Sequence, residues 1–596
     1  MRLDAKHKSG QSVNGAARMI YPSALGIILI GMPLGLFACS ENRQSALTAP
    51  RAAPDGAGDS EQKSAESLED KANPEPSSPA SGPAPAPTPA EAQAPENARK
   101  EPLALPADGP RMYSKARFAW IYPSPVRSRA WVGYVTLGGS VPLRGGSLEK
   151  ARVMGAGGCD AWYAVEPLGF MCEGSTGTTN PKDPEIVFLS GDAPKVDSPW
   201  PYQYAESIGA PRYKAIPTPA EQRSTEFYLE THLADFAKAK GAKTIDEIAS
   251  INKDLVGVDL SPAGVGAPEL LDLGPLVREE RKWIHRGSTV AYTRQFDIDG
   301  RTFLLAADHA IIPKDRVKPF PRSEFQGILL NEQTKLPIAF FRRKERPKYK
   351  RSESGDFEAI GQTWPARAWV MLTGNEIKAA PKAESEIPQN QNASKNKKDQ
   401  KPEERTFYET AEPGIYASAQ DATVVRAASE APFMRGGNSN ELDKKSGRAP
   451  SWIEISVLGG YLIAYEGLKP VYTTLISPGR GGVPVPGKDP LATASTPVGR
   501  FRVDGKFRTS TMVSSTDENL VHTEVQYIQN FSGPHALHAA YWHASWGDPK
   551  SGGCVNLAPI DAKWLFEWSE PKVPPGWHGL RATKIFGNST EVFIHR

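Results

Sequence analysis

The residues able to do chemistry lie near the C-terminal end of the chain. They form the run His535-Ala-Leu-His538-Ala-Ala-Tyr541-Trp542-His543 and, shortly after it, Ser551-Gly552-Gly553-Cys554-Val-Asn556. A thiol becomes a nucleophile once a base removes its proton, and imidazole suits that task at neutral pH. Three histidines stand near Cys554 in sequence and offer such a base. The Gly552-Gly553 pair lets an acyl carbonyl approach closely. Backbone N–H groups freed in such a bend lower a thiol's pKa and cradle an oxyanion. Acyl transfer on a peptide bond is the chemistry these residue types suggest. The competing account is a small buried residue at a bend.

These groups need a frame. Ala558–Trp568 has helical periodicity, with Pro559 in the first turn and Ile560, Trp564, Leu565 and Trp568 on one face. Cys554 thus falls in a Gly-rich bend just upstream of a helix. Before it, Trp452–Ser456, Tyr461–Tyr465 and Val471–Ser477 read as three closely spaced strands. Gly479–Gly482 is a break, Ala494–Asp504 a Pro-primed turn into a strand, and Thr509–Val513 and Val525–Phe531 follow as strands.

From Trp452 to about Ile594 the chain resembles the L,D-transpeptidase catalytic domain, also called YkuD-like, of bacterial cell-wall enzymes. The family's signature is a histidine in a strand, then Ser-His-Gly-Cys, a hydrophobic residue and Arg or Asn. His538, Ser551, Gly553, Cys554 and Asn556 match it. TPVGRFRV (Thr496–Val503) matches the family's strand entry, and LIAYEGLKPVYTTLISPG (Leu462–Gly479) its first hairpin and third strand. The resemblance implies a β-sandwich-like fold, with Cys554 as nucleophile and His538 as base, oriented by the backbone carbonyl of Ala539. Ser551 and Asn556 would brace the loop, and the N–H groups of Gly553 and Cys554 would hold the oxyanion.

It further implies attack on the L-centre carbonyl before the terminal D-amino acid of a peptidoglycan tetrapeptide stem. His538 would protonate the departing D-alanine, and a neighbouring stem's side-chain amine would resolve the thioester into a 3–3 cross-link. An outer-membrane lipoprotein is the alternative acceptor. No metal and no organic cofactor is implied. One position departs: Gly552 stands where the family has histidine, a residue that assists the site without being the base. Its loss lowers activity, loosens the bend or marks a degenerate site. His535 or His543 would partly substitute, although the Tyr-Trp-His run is common in this subtype and explains His543 by itself. Tyr541, Trp542 and Trp546 either line a substrate groove or pack in the core. The alternative to an enzyme is a catalytically degenerate lipoprotein that grips peptidoglycan and tethers envelope to wall.

The rest of the chain is organised around this domain. A length of 596 residues predicts roughly three to five domains. No Phe, Trp or Tyr occurs between Cys39 and Met112, or between Val370 and Thr406. Neither stretch buries enough apolar surface to offset the entropy of ordering its backbone. With 71 Lys+Arg against 68 Asp+Glu, a net charge of +3 gives nucleic-acid binding no electrostatic support.

Arg2, Lys6, Lys8 and Arg18 precede the apolar run Met19–Ala38, the pattern of an export signal. Leu36-Phe37-Ala38-Cys39 resembles the bacterial lipoprotein cleavage box, so 1–38 is expected to be removed and Cys39 lipidated. Ser40 then implies the periplasmic face of the outer membrane. The other reading of the run is a single membrane anchor. Residues 40–111 form a Pro/Ala-rich tether reaching on the order of 200 Å at ~3.1 Å per residue.

Residues 112–183 carry short aromatic and β-branched runs, among them Cys159-Asp-Ala-Trp162-Tyr163-Ala-Val165 and Phe170-Met-Cys172. They resemble a bacterial SH3-like barrel. Cys159 and Cys172 flank a hairpin and either pair in an oxidising compartment or stay reduced and buried; no histidine accompanies them to make a metal site. Residues 184–450 read as a mostly-β connector, with helical periodicity from Pro219 to about Asn252 and a low-complexity insertion at 373–406. His285 and His309 there are isolated and expected to be structural. The fold class expected overall is mainly β, ending in the YkuD-like sandwich at 451–596.

Overall fold

The computed structural model describes residues 109–239, 282–379, 405–433, 449–514 and 519–596. The export signal, Cys39, nearly all of the tether, the chain from 240 towards Asn252 and most of the 373–406 insertion lie outside them. The chain is mainly β, with a few short helices.

Two sheets face each other in the C-terminal part. One has six strands in the order Ile328–Leu329, Lys469–Leu475, Tyr461–Glu466, Ser451–Ser456, Glu591–His595 and Gly499–Arg502. The other has seven, in the order Ala119–Ile121, Gly133–Val135, Gly579–Arg581, Gly505–Val513, Val521–Ser532, His535–Ala539 and Val555–Leu557. Alternation along the strands fills the space between them. Ile453, Ile455, Leu462, Ala464, Val592 and Ile594 of the first sheet meet Leu537, Ala539, Val555 and Leu557 of the second. Each Ile, Leu or Val among them contributes about 1.5–3 kcal/mol on full burial.

The helix Pro559–Trp568 packs against this core on a face rotated from the one its periodicity suggests: Leu565 is shared, and Trp564 and Trp568 pack at its margin. Its buried residues are Pro559, Asp561, Ala562, Leu565 and Phe566, whereas Ile560, Trp564 and Trp568 are only partly covered. Asp561 turns inward because it has partners there: Tyr472 Oη at 2.7 Å, the Gly327 N–H at 2.7 Å and Thr474 Oγ1. Nor is the helix next to Cys554, since the strand Val555–Leu557 intervenes.

The boundary drawn between 112–183 and 451–596 does not hold for the sheet. Strands Ala119–Ile121 and Gly133–Val135 extend the seven-stranded sheet through Gly579–Arg581, and Trp577 and Leu580 share a core with Ile121, Val132 and Val135. Gly133 is required there, because a Cβ would fall 2.2 Å from the Trp577 ring. A sheet edge exposes unpaired N–H and C=O groups, and here a segment distant in sequence covers it. The remaining strands of 112–183 form two three-stranded sheets. Cys159 and Cys172 are joined in a disulfide beside the hairpin Ala161–Ala164 and Phe170–Glu173.

The connector holds three further sheets among the described residues, the smallest a pairing of Ala210–Pro211 with Trp283–Ile284. The five-stranded one runs Ile311–Pro313, Arg301–Ala306, Thr289–Ile298, Gln203–Ser207 and Val317–Pro319. The third has seven strands and includes Trp369–Ala379 paired with Arg405–Thr410. Residues 373–379, assigned to the low-complexity insertion, are therefore the far half of a strand. That half is mostly exposed and polar, so it carries no alternation to read. Helices cover Pro219–Thr225 and Leu229–Ala239. His285 is exposed, while His309 is buried edge-on to Phe188. Among the described residues no helix is long and apolar enough to cross a membrane.

Candidate active site

The site is built on two short parallel strands, the histidine strand His535–Ala539 and the cysteine strand Val555–Leu557. Their register pairs Leu537 with Val555, His538 with Asn556 and Ala539 with Leu557. Successive side chains on a strand point to opposite faces. Leu537, Ala539, Val555 and Leu557 enter the sandwich core, so His538 and Asn556 stand side by side on the other face. Cys554 directly precedes the cysteine strand, partly buried, with Sγ 3.8 Å from the Pro534 carbonyl.

His538 is held by its own strand. Its Nδ1 lies 2.8 Å from the Ala539 carbonyl oxygen. A carbonyl can only accept, so Nδ1 carries the proton and Nε2 keeps the basic lone pair. The tilted ring of Trp542 lies 6.0 Å away, and His522 stacks on Trp542 at 4.1 Å. Burial, with His538 nearby, pushes His522 down to about 4.

The Ser551–Cys554 loop is closed by hydrogen bonds. Ser551 Oγ donates to the Cys554 carbonyl and accepts the Gly553 N–H at 3.1 Å. The Gly553 N–H, assigned above to the oxyanion, is thus engaged inside the loop; a serine two residues back competes for the same donor. Thr496 Oγ1, from the TPVG entry, accepts the Gly479 N–H at 2.8 Å and donates to the Gly553 carbonyl at 3.0 Å. Asn556 exchanges two backbone hydrogen bonds of 2.9 Å with Ser477. Gly553 has φ +133, and a Cβ there would lie 3.1 Å from the Ser495 carbonyl and 2.9 Å from His535 Nε2.

His543 contacts Asn556 rather than the thiol. The Ser545 N–H donates to His543 Nδ1 at 3.2 Å, and the Asn556 amide faces Nε2 at 3.0 Å. With Nδ1 accepting, Nε2 bears the proton; the Asn556 amide stands with Nδ2 towards it, and exchanging the amide's nitrogen and oxygen gives that proton its acceptor. Burial, then Lys550, His538 and His522, push His543 down to about 3, so it is neutral at physiological pH.

Of the three aromatics that either line a groove or pack in the core, two pack. Trp546 is buried at 1% exposure. Tyr541 is buried against the connector, stacked on Tyr204 at 3.9 Å. Tyr541 Oη donates to the Thr523 carbonyl at 2.6 Å, the Thr523 N–H to Thr289 Oγ1 at 2.9 Å, and Thr289 Oγ1 back to Tyr541 Oη at 2.5 Å. Only Trp542 stays half-exposed beside His538. Tyr204, Thr289 and His522 carry no local motif, and their link to the site is a tertiary contact. Among the described residues, no three His, Cys, Asp or Glu side chains are placed to hold a metal ion.

Comparison with known proteins bears on the domain that carries these residues. Residues 450–594 match the family model YkuD, the L,D-transpeptidase catalytic domain. Similar solved structures are L,D-transpeptidases. One from Xylanimonas cellulosilytica is 22% identical, over 25% of this chain and 61% of that one, with a TM-score of 0.18. One from Mycobacterium smegmatis is 18% identical, over 25% and 59%, with a TM-score of 0.18. The catalytic domain from Enterococcus faecium is 21% identical, over 24% and 96%, with a TM-score of 0.18. The chain spans 51% to 61% of the length of the first three such structures. No curated protein matches it.

Proposed function

We propose that the chain is a cysteine-dependent peptidoglycan L,D-transpeptidase that joins tetrapeptide stems by 3–3 cross-links. The observation that carries this reading is His538, locked with Nδ1 on the Ala539 carbonyl and in register with Asn556, beside the nucleophile's strand. In the acylation step the Cys554 proton moves to His538 Nε2, and the thiolate attacks the L-centre carbonyl of a donor stem. The C–N bond breaks, and His538 delivers its proton to the departing D-alanine amine. The side-chain amine of a second stem then attacks the thioester, gives up a proton through His538 and releases the cysteine. No metal or organic cofactor enters these steps.

The same reading makes the protein an exported lipoprotein, anchored through lipidated Cys39 at the periplasmic face of the outer membrane. The 40–111 tether would let the folded part reach the wall, with the SH3-like segment as a wall contact. An outer-membrane lipoprotein is the second acceptor to test.

The full chain, incubated with tetrapeptide muropeptides, should give 3–3 dimers and a thioester on Cys554 by mass spectrometry. Both should vanish in Cys554→Ala. Unaltered stems together with tight sacculus binding would overturn the enzyme in favour of the degenerate, wall-gripping lipoprotein.

A further inference from the structure

A second imidazole, unused in the steps above, meets the nucleophile's loop. His535 opens the histidine strand and is 6% exposed. Its Nδ1 faces the Ser532 carbonyl at 3.2 Å, so that nitrogen carries the proton and Nε2 the lone pair. His535 therefore has the same tautomer as His538, set in the same way by a backbone carbonyl. Its Nε2 is buried with no hydrogen-bond partner.

That lone pair points at the loop. A Cβ on Gly553 would come within 2.9 Å of it, so the left-handed glycine is what admits the ring. The thiol lies at the same end of the strand, since Sγ contacts the carbonyl of Pro534, the residue before His535. Ser551-Gly552-Gly553-Cys554 brings no imidazole of its own. A buried acceptor left unpaired is costly, and its presence beside a nucleophile calls for a proton that arrives during the reaction.

We propose that His535 is a second acceptor for the Cys554 proton. The S–H bond breaks, its electron pair stays on sulfur, and an N–H bond forms at His535 Nε2, leaving a thiolate beside an imidazolium. When substrate binds, sulfur takes the proton back and passes it to His538 Nε2, which protonates the leaving amine; atoms and charge balance throughout. The inference rests on reading Cys554 as the nucleophile. The other titratable groups on the elements packed here are His538, then His522, Glu524 and Tyr527 on the preceding strand, Asp561, Lys563 and Glu567 on the helix Pro559–Trp568, and His543 and Lys550 beyond. His538, His522 and Lys550 all act on His543.

The test needs no peptidoglycan. Iodoacetamide alkylation of Cys554 in the full chain is followed across pH, read on the Cys554 peptide by mass spectrometry. His535→Gln, which keeps a polar side chain without a titrating nitrogen, should move the inflection to higher pH and slow alkylation at pH 6 by ~tenfold. His535→Phe should do the same. Profiles that overlay the native one, with or without a change in melting temperature, overturn the proposal. If His535→Phe fails to fold, His535→Gln decides. A shifted profile in a protein that leaves stems unaltered would uphold His535 while the transpeptidase reading fails.

Discussion

Two buried polar clusters of this molecule invite comparison, one in the connector and one at the thiol. In the connector, all five N–H donors of Arg301 are engaged, by Glu226, Asp315 and Gln222 at 2.7 to 2.9 Å. Arg316, Tyr213 and His232 take up remaining acceptor positions of the two carboxylates. Around the thiol, His522 Nδ1 and His535 Nε2 are buried without partners. A fully satisfied network rigidifies, whereas unpaired buried groups are retained where something must still bind or move. The difference is one between these two clusters, since Asp192 Oδ1, Arg294 Nε and His309 Nδ1 elsewhere in the connector are also buried without partners.

The contrast can be broken at either end. The largest effect is expected on the chemical side: His538→Ala should cut stem turnover by about 10²–10⁴-fold with an unchanged melting temperature. In the connector the signs reverse. Arg301→Met removes the guanidinium that two buried carboxylates share, leaving Glu226 to Arg316 and Asp315 to His232, and should cost about 3–5 kcal/mol in chemical denaturation, while the folded fraction keeps its turnover per molecule. Equal loss of turnover per folded molecule in both variants would erase the distinction.

Two buried aspartates sharpen it through pH. Burial pushes Asp315 up, but His232 and Arg301 outweigh it and bring the carboxyl down to about 2. Its contribution is present above the unfolded value of 3.8 and is lost as pH falls through 2. Asp561 has only neutral donors, and burial raises it to about 6. Its contribution is complete below 3.8 and fades as pH rises through 6, a loss of ~3 kcal/mol. Asp561→Asn should flatten the stability profile between pH 4 and 6 and leave the acid limb alone. A profile unchanged in that window would refute the assignment.

The smallest effect is expected where the two regions touch. Tyr541→Phe removes one hydroxyl from the three-membered ring of hydrogen bonds with Thr289 and Thr523. It should cost about 1 kcal/mol in thermal unfolding, with turnover changed less than twofold. A larger fall in turnover would mean that the connector sets the geometry of the strand carrying His522.

Much of the C-terminal sandwich was legible beforehand. Trp452–Ser456, Tyr461–Tyr465 and Val525–Phe531 are strands because alternating or aromatic-rich runs between turns have few other stable states. The spacing from His538 to Cys554 and Asn556 pointed to a thiol site for the same local reason. The helix face was misread because Asp561, a charged residue by type, is buried by partners far away in sequence. The oxyanion assignment to Gly553 overlooked that Ser551 Oγ lies within its reach. The shared sheet was invisible, since Gly579–Arg581 is too short to carry periodicity.

By itself, then, the sequence determined the inventory: a cysteine after two glycines, a histidine in a strand, local alternation, and stretches without aromatics. Those properties depend on residue type and near neighbours along the chain. Only the tertiary structure decided which imidazole faces which carbonyl, that His543 serves Asn556, that Tyr541 joins the connector and that strands of 112–183 complete the sheet carrying His538. The Tyr541 contact and the shared sheet join groups hundreds of residues apart, and even the short imidazole bonds depend on ring orientations that packing fixes; residue type along the chain encodes neither.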